Sequence, residues 1–370
     1  MFLVLTRWQL MRFCGIIGLI CIFCYSLTLI WVSPCQNELL SNNDILNMVN
    51  QTFHLRNQAL LENNLSALDL LYNRNTLYGI WAYEHQVKKM KYLHQWCFKQ
   101  GVELKAIKSL VRIRRAEPRR DGVRVTLLAS TEYHYSYIGA PGIDNFMRIG
   151  TYHSLDLCQK GDFWQIGREW YADPFADTLR MSNEEAKADR AFMLSQKHRD
   201  FSELNPRRLS AVAYAEKYCG AAADDEVGFK YNPKYRNYNY SGGDCANFVS
   251  QVLHEGGGFR KTLAWNYGRG ASRAWVNAHS FNIYMLSSGR ASRIAYGSYR
   301  RVFKSSFNLL PGDYVAYEKK GKVTHVSVVT GFDSKGYALT NSHNTDRYRV
   351  AWDLGYGDKG IRFWLVRVHY

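Results

Sequence analysis

The chain has 370 residues, 46% hydrophobic and 15% aromatic, enough for two domains with cores of their own and too apolar for a disordered polyelectrolyte. The formal charge of +16 attracts polyanions. The basic residues are scattered and no nucleic-acid module is legible, so nucleic acid is excluded in favour of anionic wall polymer or lipid headgroups.

Arg7 and Arg12 precede an uncharged, apolar run over residues 13–32. Twenty residues at a rise of 1.5 Å span a hydrocarbon core of roughly 30 Å. A cleavable signal has a shorter apolar region, and Trp31, Val32, Ser33, Pro34 and Cys35 make a poor cleavage site. Residues 1–35 are therefore expected to be a cytoplasmic tail and transmembrane signal anchor, single-pass in the cell membrane, with the rest of the chain outside. Secretion after cleavage is the alternative. Cys21 and Cys24 have CxxC spacing without a second pair, so no metal site is expected. An exported protein can pair some of Cys97, Cys158 and Cys219, and the sequence does not choose among them.

Apolar residues at helical spacing predict one or two helices over 43–73 and another over 77–100. The period then changes. Segments 109–116, 122–138, 145–159 and 162–171 are rich in Val, Ile, Tyr and Thr, with hairpin signals at Arg120-Asp121-Gly122 and Lys160-Gly161-Asp162. Helices followed by a long-stranded antiparallel sheet describe an α+β module over 36–178, which resembles the NTF2-like (nuclear-transport-factor-2-like) cones in layout. His134, His153, Glu169 and Asp173 stand in it without a spacing that unites them, so it reads as a spacer, dimerisation or docking module. Residues 179–206 are charged and helical, a linker closed by Asn205-Pro206, and an amphipathic helix over 207–219 opens the second domain, 207–370.

That domain has the order cysteine hydrolysis needs. The turn Ser241-Gly242-Gly243 leads through Asp244 into Cys245, and an amphipathic helix follows with Gly256-Gly257-Gly258 as its stop. At a helix N-terminus the unpaired N–H groups and the dipole favour a thiolate and offer an oxyanion hole. A buried structural cysteine is the competing reading. The alternating run 322–329 puts His325 near the start of a strand, and Asp333-Ser334-Lys335-Gly336 turns the chain back toward His343. Folding that hairpin about 334–335 sets His343 opposite His325 or within one residue of it, on the same face when directly opposed. His343 is then the orienting third member, with Asn341 the alternative if the register slips by two. The competing reading is a pair of half-exposed sheet histidines.

The string Gly243-Asp244-Cys245-Ala246-Asn247-Phe248-Val249-Ser250-Gln251 closely resembles the signature of the putative amidase domain of Gram-positive bacteria, a relative of the NlpC/P60 peptidases among papain-like folds. Asn237-Tyr238-Asn239-Tyr240, Ala274-Trp275-Val276-Asn277, Leu310-Pro311-Gly312-Asp313 and Thr324-His325 match in order, so the resemblance covers about 207–370. It implies an α+β papain-like catalytic domain with Cys245 as nucleophile, His325 as general base and His343 as orienting residue, using no cofactor. Asp244, Tyr240 and Trp275 are the expected substrate-binding or oxyanion residues. Where the family has a small hydroxyl residue after the cysteine, this chain has Ala246. The expected function is a membrane-anchored, extracytoplasmic cysteine amidase or peptidase cutting cell-wall peptide through a thioester. A wall-binding or assembly module without turnover, or an acyltransferase, are the alternatives.

Overall fold

The computed structural model describes residues 41–370 except 162, 177, 178, 180, 225–227, 240, 269, 358 and 359. Helices α1 (Asn42–Leu61), α2 (Leu65–Leu70) and α3 (Leu77–Gln100) come first. Thr76 caps α3 by accepting from the Gly79 amide at 3.1 Å, and Gly101 ends it in the left-handed conformation at φ 73°. Strands β1 (Val102–Arg119), β2 (Gly122–Tyr137), β3 (Ala140–Lys160) and β4 (Phe163–Trp170) follow as an antiparallel meander. The turns fall where Arg120-Asp121-Gly122 and Gly161 predict them, Gly161 at φ 60°. Then come α4 (Asn183–Ser195), opened by the Ser182/Glu185 capping box, and α5 (Pro206–Lys217), with Asn205 as its cap.

The second part contributes α6 (Cys245–Gln251), α7 (Arg273–Val276), α8 (Ala278–Ser287), β5 (Ala291–Gly297), α9 (Tyr299–Val302) and the strands β6 (Tyr314–Lys319), β7 (Lys322–Phe332), β8 (Ala338–Ser342), β9 (Asp346–Ala351) and β10 (Ile361–Val368). All ten strands lie in one sheet, ordered β1-β2-β3-β9-β8-β7-β6-β10-β5, with β4 also on β3. The seam is β3 against β9, where Arg148, Ile149 and Gly150 pair with Tyr348, Arg347 and Asp346. Side chains fasten it further. Tyr137 Oη donates to Asp333 at 2.6 Å, Asn145 bonds Ser334, and Lys99 is paired with Asp353. A Cβ on Gly150 would lie 2.2 Å from the Ala221 carbonyl carbon, so only glycine lets the strand come this close.

The expected fold class is corrected here. The molecule is α+β, but in place of an NTF2-like module followed by a papain-like one, a single antiparallel sheet runs from β1 to β5. Among the described residues no helix is long and apolar enough to cross a membrane. The run 13–32, on which the transmembrane anchor was expected, lies outside them.

The first half also buries charge that sequence spacing did not unite. The Glu169 side chain, 1% exposed, accepts two bonds from Arg56 Nη1 at 2.8 and 3.0 Å and one from His153 Nδ1 at 2.8 Å. Asp173 is paired with Lys89 at 2.8 Å beside it, while His134 lies elsewhere, between Glu132 and Asp144. Burial opposes the Glu169 charge, and Arg56 and His153 overcome it, holding the carboxyl well below its usual range. Its contribution to stability is present above the unfolded value near 4.3 and is lost as pH falls. Arg56→Met leaves the carboxylate buried without its main partner. It is expected to cost about 3–5 kcal/mol in urea denaturation at pH 7; a loss under about 1 kcal/mol would contradict the pairing.

Candidate active site

Every residue of α6 is buried, and a turn of π-helix over Val252–Gly256 continues it. What fixes the helix in register is a chain of polar groups inside an otherwise apolar core. Trp265 Nε1 donates to Ser250 Oγ, which donates to the Trp275 carbonyl, both at 2.9 Å. Trp275 Nε1 donates to Asn247 Oδ1 at 2.9 Å, and Asn247 Nδ2 donates to Asp244 Oδ1 at 2.8 Å. Asp244 Oδ1 also accepts from the Tyr238 amide at 2.8 Å, and Oδ2 accepts from His343 Nδ1 at 2.5 Å. His343 Nε2 donates to the Tyr218 carbonyl at 2.8 Å, and its ring stacks on Phe248 with centroids 4.0 Å apart.

Both His343 nitrogens face acceptors, one of them a carboxylate, so the ring is an imidazolium. Burial disfavours that charge; the Asp244 hydrogen bond, the nearby Asp346 and the Tyr218 carbonyl overcome it and raise the pKa above the ordinary histidine value. The turn after His343 grips the same loop. Asn344, at φ 68°, accepts from the Asp244 amide through Oδ1 at 2.7 Å, and a Cβ on Gly243 would sit 2.2 Å from Asn344 Nδ2. Gly243, at φ 120°, is therefore required twice, by its backbone and by Asn344.

Cys245 begins the helix at 5% exposure. Burial pushes its thiol up to about 11, while the amides of Val326, Ala246 and Cys245 itself pull the other way without prevailing. The expectation of a resting thiolate is thus corrected: desolvation outweighs the helix end. Val326 directly follows His325 on β7, so the predicted base lies one residue from a strand amide that favours the Cys245 thiolate. Its ring, however, leaves the strand on the other face. Val326 and Val328 point into the core that holds Cys245, whereas His325 packs against Tyr317 and Tyr356 with centroids 5.4 and 5.9 Å away. His325 Nε2 has no hydrogen-bond partner, and burial, with Arg347 nearby, lowers its pKa to about 3.

The remaining predicted residues separate. Extending the pairing Val328↔Asn341 sets His343 opposite Val326, one step from the expected His325. One step reverses the face, so His343 does not orient His325. Asn341 is not the third member either: it is held by Thr330, the Arg349 amide and the Ala215 carbonyl. Asp244 is consumed by the polar chain and makes no side-chain cap on α6. Trp275 is fully buried among Tyr235, Trp265 and Tyr267, as core and not as a substrate platform. Tyr240 lies outside the described residues. Sequence reasoning missed Asn247, Asn344 and Tyr218. Asn247 was in view inside the motif, and Asn344 follows His343 with a residue type that tolerates the left-handed region; a backbone carbonyl such as that of Tyr218 leaves no signal. Among the described residues no group of three His, Cys, Asp or Glu side chains could hold a metal ion, and Cys97, Cys158, Cys219 and Cys245 are all free thiols.

Two outcomes follow from these titrations. Alkylation of Cys245 by iodoacetamide should accelerate steadily through pH 8–10 (~tenfold per unit, since the reactive thiolate is the minor form); a plateau reached below pH 7 would mean a resting ion pair. The raised His343 pKa contributes stability that is whole below the unfolded value near 6.5 and is lost as pH rises through the folded one. Urea midpoints of the wild type should fall across that window, and His343→Gln should lack this component; parallel curves for the two proteins would contradict the imidazolium.

The chain is similar to two curated proteins over part of its length. It is 31% identical over 159 residues to "Uncharacterized protein YhbB" of Bacillus subtilis (strain 168), covering 39% of this chain and 43% of the relative. It is 29% identical over 168 residues to "Uncharacterized protein YjcM" of the same organism, covering 41% of this chain and 37% of the relative. The match thus spans about two fifths of the length of these curated relatives. No solved structure matches. Residues 205–366 match the family described as "Putative amidase domain".

Proposed function

We propose that the chain is a cysteine amidase that hydrolyses amide bonds in cell-wall peptide outside the cell, with Cys245 as nucleophile. The observation that carries this reading is the placement of one thiol. Cys245 opens a fully buried helix held by the Asp244–His343 pair, against the amide that follows His325, inside the segment matching an amidase family. A structural cysteine needs no such arrangement of polar groups around the helix end.

In this mechanism the resting site is neutral: a protonated thiol and an unprotonated His325. His325 acts as general base as substrate arrives; because its ring leaves β7 on the face away from Cys245, this step requires a local rearrangement of β7 that brings the ring to the sulfur. The thiol proton passes to the imidazole and Sγ attacks the amide carbonyl carbon. The imidazolium gives its proton to the leaving amine as the C–N bond breaks, leaving a thioester. Water then loses a proton to His325 and attacks the thioester, releasing a carboxylic acid and restoring the thiol. Asp244 and His343 touch none of the reacting atoms in this scheme and are positioning residues. One observation favours a second reading, a wall-binding module without turnover: the His325 ring is not bonded to the thiol in the closed site.

Purified peptidoglycan incubated with the full chain should gain free amines and release peptide, read by amine labelling and mass spectrometry. Cys245→Ala should lower that rate about 10³-fold or more. Equal release by both proteins would remove Cys245 from the chemistry, and release by neither, with binding intact, would establish the non-catalytic module.

A further inference from the structure

A charge taken into the protein interior is normally matched by an opposite one, because an isolated ion there costs several kcal/mol even after relaxation. Among the described residues the other deeply buried arginines and lysines obey: Arg56 meets Glu169, Lys89 meets Asp173, Lys99 meets Asp353, Arg148 meets Glu132 and Arg208 meets Asp313. Arg347 on β9 does not. It is 3% exposed, donates through Nη1 to the Leu354 carbonyl at 2.9 Å, and lies 5.1 Å over the Tyr356 ring. Its Nε has no hydrogen-bond partner, and it forms no ion pair among the described residues.

Three more unpartnered groups stand beside it. Ser342 pairs with Arg347 across β8 and β9, fully buried, with a hydroxyl that bonds to no group. Continuing the Val328↔Asn341 register one step brings Ser327 next to Ser342, and Ser327 Oγ is equally buried, with the Tyr317 hydroxyl as its one polar neighbour. His325, two residues before Ser327, shares its face, and His325 Nε2 is the fourth orphan. One arginine N–H, two hydroxyls and one imidazole nitrogen, all buried, make a polar cluster, and buried groups of this kind call for a bound partner.

We propose that Arg347, Ser327, Ser342 and His325 form a binding site for a carboxylate-sized anion. The planar N–H edge of arginine matches a carboxylate, the hydroxyls supply further donors, and the anion supplies the missing charge. Tyr356, over which Arg347 lies, also borders a cavity of about 170 Å³ whose lining carries Lys99 and Arg300 together with Glu185 and Asp353. The anion comes either from solution or as a carboxylate on the peptide cut at Cys245. Only the second source rests on the proposed amidase activity.

The test reads stability, so it stands whether or not the protein hydrolyses anything. Thermal midpoints of the full chain are measured in chloride-free buffer with sodium acetate, with acetamide as the neutral isostere, and with dipeptides carrying a free or an amidated C-terminus. Wild type is expected to rise by several degrees at an acetate concentration a hundredfold above its Kd, with no rise in acetamide. Arg347→Met should lose the response and, lacking the uncompensated charge, be at least as stable as wild type without anion. Should that variant fail to fold, the pair Ser327→Ala and Ser342→Ala is read instead and should weaken the acetate response at least tenfold in concentration. Free-acid dipeptides acting at lower concentration than acetate would identify the peptide as the source, and equal potency would identify a free anion. A rise in acetate that is the same in wild type and variants, or no rise in wild type, would overturn the site.

Discussion

His343 sits with a carboxylate on one nitrogen and a backbone carbonyl on the other, its ring flat against Phe248 and water excluded. In that setting the imidazolium and Asp244 hold each other in place, and Asp244 is the residue just before Cys245. Breaking the pair would leave a buried carboxylate beside the helix start, with Asn247 and the Tyr238 amide as its remaining side-chain partners. From there the polar chain passes through Asn247 to Trp275, Ser250 and Trp265, so the position of the thiol is set by groups on five separate segments. Asp244, Asn247 and Ser250 of the motif take part in this network.

The same packing sets the chemistry. A helix N-terminus stabilises a thiolate only while the sulfur has polar surroundings, and here the surroundings are Phe248, Val249 and the β7 valines. Desolvation outweighs the helix end and favours the protonated thiol. Under the proposed mechanism, substrate entry has to bring base and thiol together, so selectivity and reactivity would share one conformational step. The wall of that step is the stack of Tyr317 on Tyr356, centroids 3.8 Å apart, against which His325 now lies.

Much of this was legible from residue order. The helices near 43–61 and 77–100, the four long strands, both hairpin turns and the start of α5 follow from apolar period and from Gly, Pro and Asn placement. The single sheet was not legible, because the β3–β9 seam joins residues nearly 200 positions apart over only three pairs, and no local pattern announces it. In the site, the Gly243-Asp244-Cys245 turn identified the helix and its first residue. The third-member assignment failed on one register step, in a hairpin that carries an irregularity between Val329 and Gly331. Trp275 was misread because an indole whose N–H meets Asn247 inside a core looks, in sequence, like one lining a groove. Arg347 went unnoticed for a related reason: one arginine among many basic residues shows nothing of its burial until β8 and β9 are paired.

If Cys245 is the nucleophile, as proposed, it carries an acyl group during turnover. Mixing the full chain with peptidoglycan-derived peptide, quenching in acid within seconds and digesting for mass spectrometry measures this directly. The account predicts an acyl mass on the peptide containing Cys245, removed by neutral hydroxylamine as a thioester should be, and absent from Cys245→Ala. Product formation with no adduct on that peptide, or an adduct on another residue, would contradict it.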